Sequence, residues 1–276
     1  MKKVMTLLIV YLFSLNNITA QYFNFLSEYT NLNKYNVVDS AYLKCSYKLT
    51  YLKDTLKPDD KSTDLQILQV GKTISKYYSQ YKLDYCNYIV NYLKKGADSY
   101  PNIKESGAWS YEVFKNYPHG KETVTDIASM LKGNFVYEED LPVFNWKISE
   151  EKQTILSYTC QKATVSFRGR DFIAWFASDI PVPNGPWKFG GLPRLILKIS
   201  DSKNNFVYEC QGLEQLRKKE DIKFYNVEFT KLTRSNLREL YQRFHDNFVT
   251  YIRAVLGSRV VDNTVVKVSY NPIELE

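Results

Sequence analysis

The chain lacks most of the features that announce a chemistry. Histidine occurs only at His119 and His245, and no Gly-x-Ser-x-Gly segment is present, so a serine hydrolase of the elbow type has neither its turn nor a choice of bases. The four cysteines, Cys45, Cys86, Cys160 and Cys210, lie far apart with no Cys/His cluster, which excludes the usual zinc spacings. Residues 201–205, Asp-Ser-Lys-Asn-Asn, fall short of a calcium loop and read as a hairpin turn. No Gly/Ser-rich or Pro-rich linker and no repeat divides the chain, so a single domain is expected. Charge of one sign is not concentrated either: the short basic knot Arg217-Lys218-Lys219 is surrounded by Glu214, Glu220 and Asp221, unlike a nucleic-acid footprint. These absences predict no catalytic residue, no metal ligand, no cofactor and no nucleic-acid partner.

What is present begins with Lys2 and Lys3, a mostly apolar run from Val4 to Leu15, and Ala20. Residues 1–20 therefore read as a secretory signal, which leaves 21–276 as one β-rich domain, exported and periplasmic or secreted. A membrane span would take roughly twenty consecutive apolar residues. This run is broken at Ser14 and ends at Asn16 and Asn17, and no later segment is long and apolar enough, so no transmembrane segment is expected in the mature chain. Gln21, not Cys, follows Ala20, which gives lipid attachment no anchor. The 37 basic and 30 acidic residues give +7, and removal of Lys2 and Lys3 leaves +5, a mild balance for this length.

Twenty-three Tyr and fifteen Phe favour pleated, half-buried surfaces. Residues 41–52 alternate as a strand, 65–70 and 73–78 read as two short strands about Gly71, and 81–95 carries a helical period. Short β-like runs at 154–167, 171–177, 195–200 and 206–211 suggest an antiparallel meander. Leu237, Leu240, Tyr241, Phe244, Phe248, Ile252 and Val255 keep one apolar stripe with Ser235 as N-cap and Gly257 as stop, and a last strand is expected at 264–270. The fold class expected is α+β: a predominantly antiparallel, strongly curved, open-barrel-like sheet packed on a long C-terminal helix.

The most distinctive stretch is 179–199, where Pro181, Pro183 and Pro186 fix the backbone, Asn184-Gly185 can turn, and Gly190-Gly191 allow close approach before a strand. With Trp146-Lys-Ile148, residues 158–163, residues 169–176, the pair of strands at 65–80 and the terminal Asn271-Pro-Ile-Glu-Leu275, it resembles the GLPGLI family of exported bacterial proteins. The motif here reads Gly-Leu-Pro-Arg-Leu-Ile, with Arg194 where the family carries its second Gly. The resemblance implies export and a β-rich fold, and it brings no reaction, cofactor or ligand.

The remaining chemistry is sparse. His119 sits in a Tyr-Pro-His-Gly turn and His245 on the flank of the helical stripe, and both read as structural or solvated. The acids at 138–140 and 150–151 read as solvated loop charges. Tyr158-x-Cys160 and Tyr208-x-Cys210 echo one another, so a Cys160 to Cys210 disulfide is one reading and buried free thiols the other. Trp175, Trp187, Phe189, Gly190, Gly191, Leu192, Pro193 and Arg194 are the candidate ligand-binding residues, either bordering an apolar pocket or closing the core. The functions weighed are a non-enzymatic binding or carrier module for an apolar or peptidic ligand, a structural factor docking onto an envelope protein complex, and, third, a hydrolase.

Overall fold

The computed structural model describes residues 32–95, 110–128, 131, 133–249 and 268–276, and the signal segment expected at 1–20 lies outside them. Twelve strands form one sheet in the order β12-β6-β5-β4-β3-β2-β1-β11-β10-β9-β8-β7. From the central β1 (Tyr35–Leu52) one wing runs through β2 (Lys61–Val70), β3 (Ser75–Ser79), β4 (Tyr111–Lys115), β5 (Lys121–Ala128) and β6 (Gly133–Asp140). The other wing climbs from β7 (Lys147–Ile155) through β8 (Tyr158–Phe167), β9 (Arg170–Ala177) and β10 (Ile196–Asp201) to β11 (Phe206–Tyr225), which returns to β1. Every neighbouring pair is antiparallel except β12 (Thr230–Lys231), which lies parallel to β6.

Strand β1 shows why the sheet forms. Leu43, Cys45, Tyr47, Leu49 and Tyr51 alternate into the core, and the Tyr47 hydroxyl donates to the Ile196 carbonyl at 2.8 Å. Its register with β11 runs from Tyr35 opposite Tyr225 to Tyr51 opposite Phe206, and slips where Ala41 faces Glu220 but Leu43 faces Gln215. The extra residues bulge outward, which leaves Arg217, Lys218 and Lys219 exposed. The outer strand β7 is also bulged, between Ile148 and Lys152, and carries exposed charges along its edge.

Helix α1 (Gln80–Lys94) follows β3 directly, with the Ser79 hydroxyl accepting from the Lys82 amide and donating to Asp64. Helix α2 (Arg234–Asp246) starts at Thr233, whose hydroxyl accepts from the Asn236 amide, and ends at the cap Asn247. The expected fold class is therefore corrected. The sheet is a single open one, the helix at the C-terminal end is 13 residues in place of a long one, and α1 and α2 are the only helices named among the described residues. Only Leu237 and Phe244 of α2 are buried, so it covers one end of the sheet beside β6, and the core is closed by the two wings facing each other. The stripe residues Ile252 and Val255 lie outside the described residues, as do 264–267 of the expected last strand, while residues 268–270 are not in a strand.

The β2–β3 turn is tight. Asp39 accepts from the amides of Thr73 and Ile74 at 2.8 Å, and these bonds, with that from Ser40, hold its carboxyl below the usual range although burial opposes them. A Cβ on Gly71 would stand 2.6 Å from Asp39 Oδ2 and 2.8 Å from the Ile74 carbonyl. Gly71→Ala is expected to cost about 1–3 kcal/mol in chemical denaturation, as overpacking does. An unchanged unfolding midpoint would show that the turn relaxes freely.

Candidate functional site

The 179–199 stretch forms the connection between β9 and β10, and it is held by a row of polar residues that crosses the opposite wing. In register across β3, β4, β5 and β6 stand Ser75, Lys115, Glu122 and Glu139. Glu122 and Glu139 are directly opposed, an arrangement that like charges make unfavourable unless a cation intervenes. Lys188 supplies it. Its ammonium, fully buried, lies 2.5 Å from Glu139, 2.8 Å from Glu274 and 3.6 Å from Glu122, and donates to the Tyr137 hydroxyl at 2.9 Å. Burial opposes the charge on Lys188, but Tyr137 and the three carboxylates outweigh it and hold the ammonium protonated.

Lys115 performs the complementary task. Its three N–H groups meet Asn184 Oδ1 at 2.9 Å, the Gly185 carbonyl at 2.8 Å and the Phe189 carbonyl at 2.6 Å, while Asn184 Nδ2 donates to the Ser75 hydroxyl. Burial pushes Lys115 down to about 7, against the pull of Glu122. Three oxygen acceptors match the three donors of an ammonium, so we read the group as charged in the folded state at neutral pH.

The C-terminal residues join the same network. Arg168, on the β8–β9 turn, grips Glu139 at 2.6 Å and Glu274 at 2.7 Å, and Arg234 of α2 reaches Glu274 at 3.1 Å. Lys188 and Arg168 hold Glu139 and Glu274 below the usual carboxylate range despite burial. Arg170 donates to Asn271 and to the Pro272 carbonyl, and Asn271 donates to the Leu52 carbonyl. The distant segments that carry the family resemblance are thus bound to one another. Glu139, read from the sequence as a solvated loop charge, is instead half-buried on β6, whereas Glu138, Asp140, Glu150 and Glu151 are not buried.

Beside this network a cavity of about 560 Å³ opens between β1, α2, the Trp187 loop and the C-terminal residues. One wall is a run of rings in contact: Trp187 to Tyr111 at 5.7 Å, Tyr111 to Tyr241 at 6.0 Å, Tyr241 to Tyr270 at 6.3 Å, and Tyr270 stacked on His245 at 4.4 Å. The Tyr241 hydroxyl donates to buried Asp126 at 2.5 Å. Burial lowers the affinity of His245 for a proton. Trp187 has φ +51°, left-handed backbone that a bulky residue adopts at a cost. Trp187 lines the cavity while Lys188 enters the charge network, its ammonium still 5.5 Å from the centre of the Trp187 ring.

The eight candidate ligand-binding residues are divided by this geometry. Trp187 lines the cavity. Phe189 fills the core against Phe172 at 4.7 Å, and Leu192 is buried with it. Trp175 lies on the opposite face of β9 from buried Phe172, Ala174 and Phe176. Trp146 donates its indole N–H to the Gly190 carbonyl, and Gly191 has φ +77°. Pro193 is exposed, and Arg194 donates to the Ser178 carbonyl from a backbone outside the positive-φ residues, so a side chain is accommodated where the resemblance has Gly. His119 is exposed at a turn tip. All four cysteines are buried free thiols, with no Cys160 to Cys210 bridge formed, and burial raises Cys160 to about 11 and Cys210 to about 12. The sequence marks none of Tyr111, Tyr137, Lys115, Glu122 and Lys188 as site residues, and Tyr241 only as part of the helical stripe; a further pointer was the Lys within the 179–199 motif.

Two substitutions test the network. Lys188→Met is expected to destabilise by about 3–5 kcal/mol, because it strands buried carboxylates; a loss under about 1 kcal/mol in denaturant titration would contradict this. Glu122 is pushed up to about 7 by burial, against the pull of Lys188 and Lys115 and with added repulsion from Glu139 and Glu274. It therefore holds its proton more tightly folded than unfolded: its contribution is complete below the ordinary carboxylate value and is lost as the pH climbs through 7. Relative to wild type, Glu122→Gln should gain stability on the order of 3 kcal/mol between pH 4.5 and 7. Parallel stability curves for the two proteins would refute the buried, raised carboxyl.

Residues 168–198 match the family model described as a protein of unknown function (Porph_ging). The match covers the β8–β9 turn, β9 and the loop that carries Trp187 and Lys188. No curated protein matches the chain. Among solved structures it is similar to PNGF-II in two crystal forms, each at 14% identity. One has a TM-score of 0.47 with 75% of this chain covered, the other 0.46 with 74%. The likeness takes in 34% and 33% of those chains, about a third of their length, and at that score it bears on neither chemistry nor ligand.

Proposed function

We propose that the protein is an exported binding or carrier module that holds a small and largely apolar ligand in the cavity beside Trp187. The observation that carries this reading is the cavity itself: about 560 Å³, within the range of small-molecule sites, and walled by the rings of Tyr51, Tyr111, Tyr137, Trp187, Tyr241 and Tyr270 with charged side chains among them. Its surroundings are braced before any ligand arrives, since Lys188, Arg168 and Arg234 tie together the loop, the sheet and the C-terminal residues that line it. Such preorganisation lowers the ordering cost of binding. Docking through the sheet edge fits less well, because β7 is bulged and charged along its free side.

Native mass spectrometry of the protein, purified gently from the envelope fraction of its host, tests both parts. The expected spectrum is a polypeptide beginning at Gln21 with a stoichiometric small-molecule adduct. Leu237→Trp, which places a large ring at the cavity wall, should abolish the adduct while circular dichroism stays unchanged. A clean apo mass, or an adduct retained by the variant, would overturn the carrier reading, and an intact residue 1–20 segment would overturn export by cleavage.

A further inference from the structure

The ligand class follows from what the cavity walls are made of, and the inference rests on the carrier reading above. Among the described residues, aliphatic lining is confined to Leu237, Val268, Pro272 and Ile273, whereas aromatic rings are more numerous. The ladder from Trp187 to His245 runs along one side without a break, and Tyr51 and Tyr137 contribute further rings. An acyl chain gains nothing specific from such a surface, while a flat conjugated ring system gains offset or edge contacts at several successive rings, each worth about 0.5–1.5 kcal/mol beyond burial. Tyr111 and Tyr241 are also fixed in place, the latter through Asp126, so the ring faces are presented at fixed positions.

Charge at the mouth completes the description. Lys53, Lys57 and Arg238 line it, and none of the three is in an ion pair among the described residues. Of the acids there, Glu274 is already engaged by Lys188, Arg168 and Arg234, Asp54 accepts from the Leu56 amide, and Asp60 is exposed. Lys53, Lys57, Arg234 and Arg238 thus face the carboxylates of Asp54, Asp60 and Glu274, which leaves a small positive excess over a slot walled by rings, with Arg238 also donating to the Leu275 carbonyl. We infer that the cavity takes a flat, conjugated organic acid, its rings against the Trp187–Tyr111–Tyr241–Tyr270 wall and its anionic group towards Lys53, Lys57 and Arg238.

Three probes separate the parts of this inference when titrated into the full chain by calorimetry: pyrene-1-carboxylate, dodecanoate and 1-pyrenemethylammonium. Pyrene-1-carboxylate is expected to bind at least tenfold tighter than either of the others. Tyr270→Leu should weaken it about tenfold without affecting dodecanoate, and the double variant Lys53→Gln/Lys57→Gln should erase the preference over the cationic pyrene. Dodecanoate binding as tightly as pyrene-1-carboxylate overturns the flat class and leaves the carrier reading standing. Equal binding of the two pyrenes overturns the anionic part, and pyrene binding that neither variant changes places the probe elsewhere and overturns the assignment. If no probe binds, the carrier reading fails together with its ligand.

Discussion

Two carboxylates opposed on neighbouring strands, with one lysine driven between them from another part of the chain, set the terms for the rest of this molecule. Glu122 and Glu139 face each other across β5 and β6, and without Lys188 their row would repel. Taking ions out of water is costly unless geometry and partners are nearly complete. The fold therefore surrounds the three residues with Arg168, Glu274, Tyr137 and Lys115, and each of these arrives from a different element. A network of this kind has one arrangement in which charges balance, and that arrangement fixes how the β9–β10 loop, the β8–β9 turn and the C-terminal residues meet.

The cavity is a consequence of that fixation. The left-handed turn at Trp187 lets Lys188 reach its carboxylates while its ammonium still lies 5.5 Å from the centre of the buried Trp187 ring, which lines the cavity. Glu274 belongs to both regions: it is bound by Lys188, Arg168 and Arg234, and it lines the cavity. Among the described residues no strand closes this end of the sheet, and α2 lies over it with Leu237 and Phe244 as its buried residues. Packing that would fill the space is prevented by the polar residues on one side and by the rigid ring ladder on the other.

Much of the sheet is legible from alternation alone. Strands β1, β2, β3, β9 and β10 and helix α1 fall close to where the apolar period places them, because their inward residues are apolar. Strand β5 is not legible in the same way: Glu122, Val124 and Asp126 share one face, and a rule that sends charge outward reads that face as solvent. The long second half of β11 is hidden for a related reason, since its charged residues lie at the surface, Glu214, Glu220 and Asp221 paired with β1 and Arg217, Lys218 and Lys219 in the bulge between them. The C-terminal helix was overestimated because its stripe continues in sequence past Asn247, where the cap bonds back to Arg243.

The site shows the same division. Trp187 was singled out from the 179–199 motif and does line the cavity, but its partners Tyr111 and Tyr241 come from segments 76 and 54 residues away by sequence subtraction, 187 − 111 and 241 − 187. Nothing in the local pattern of Tyr111 singles it out, and Tyr241 is marked only as one residue of the helical stripe. What selects them is position relative to the charge network, which is a property of the assembled wings. The motif residues that do not face the cavity have a structural account of equal weight. Phe189 anchors the core, Gly190 and Gly191 let Phe144 and Trp146 close over the loop, and Lys188 binds the carboxylates. A sequence pattern this long is therefore mostly a specification for seating one loop, and the single ring it lends to the cavity wall, Trp187, is itself almost wholly buried.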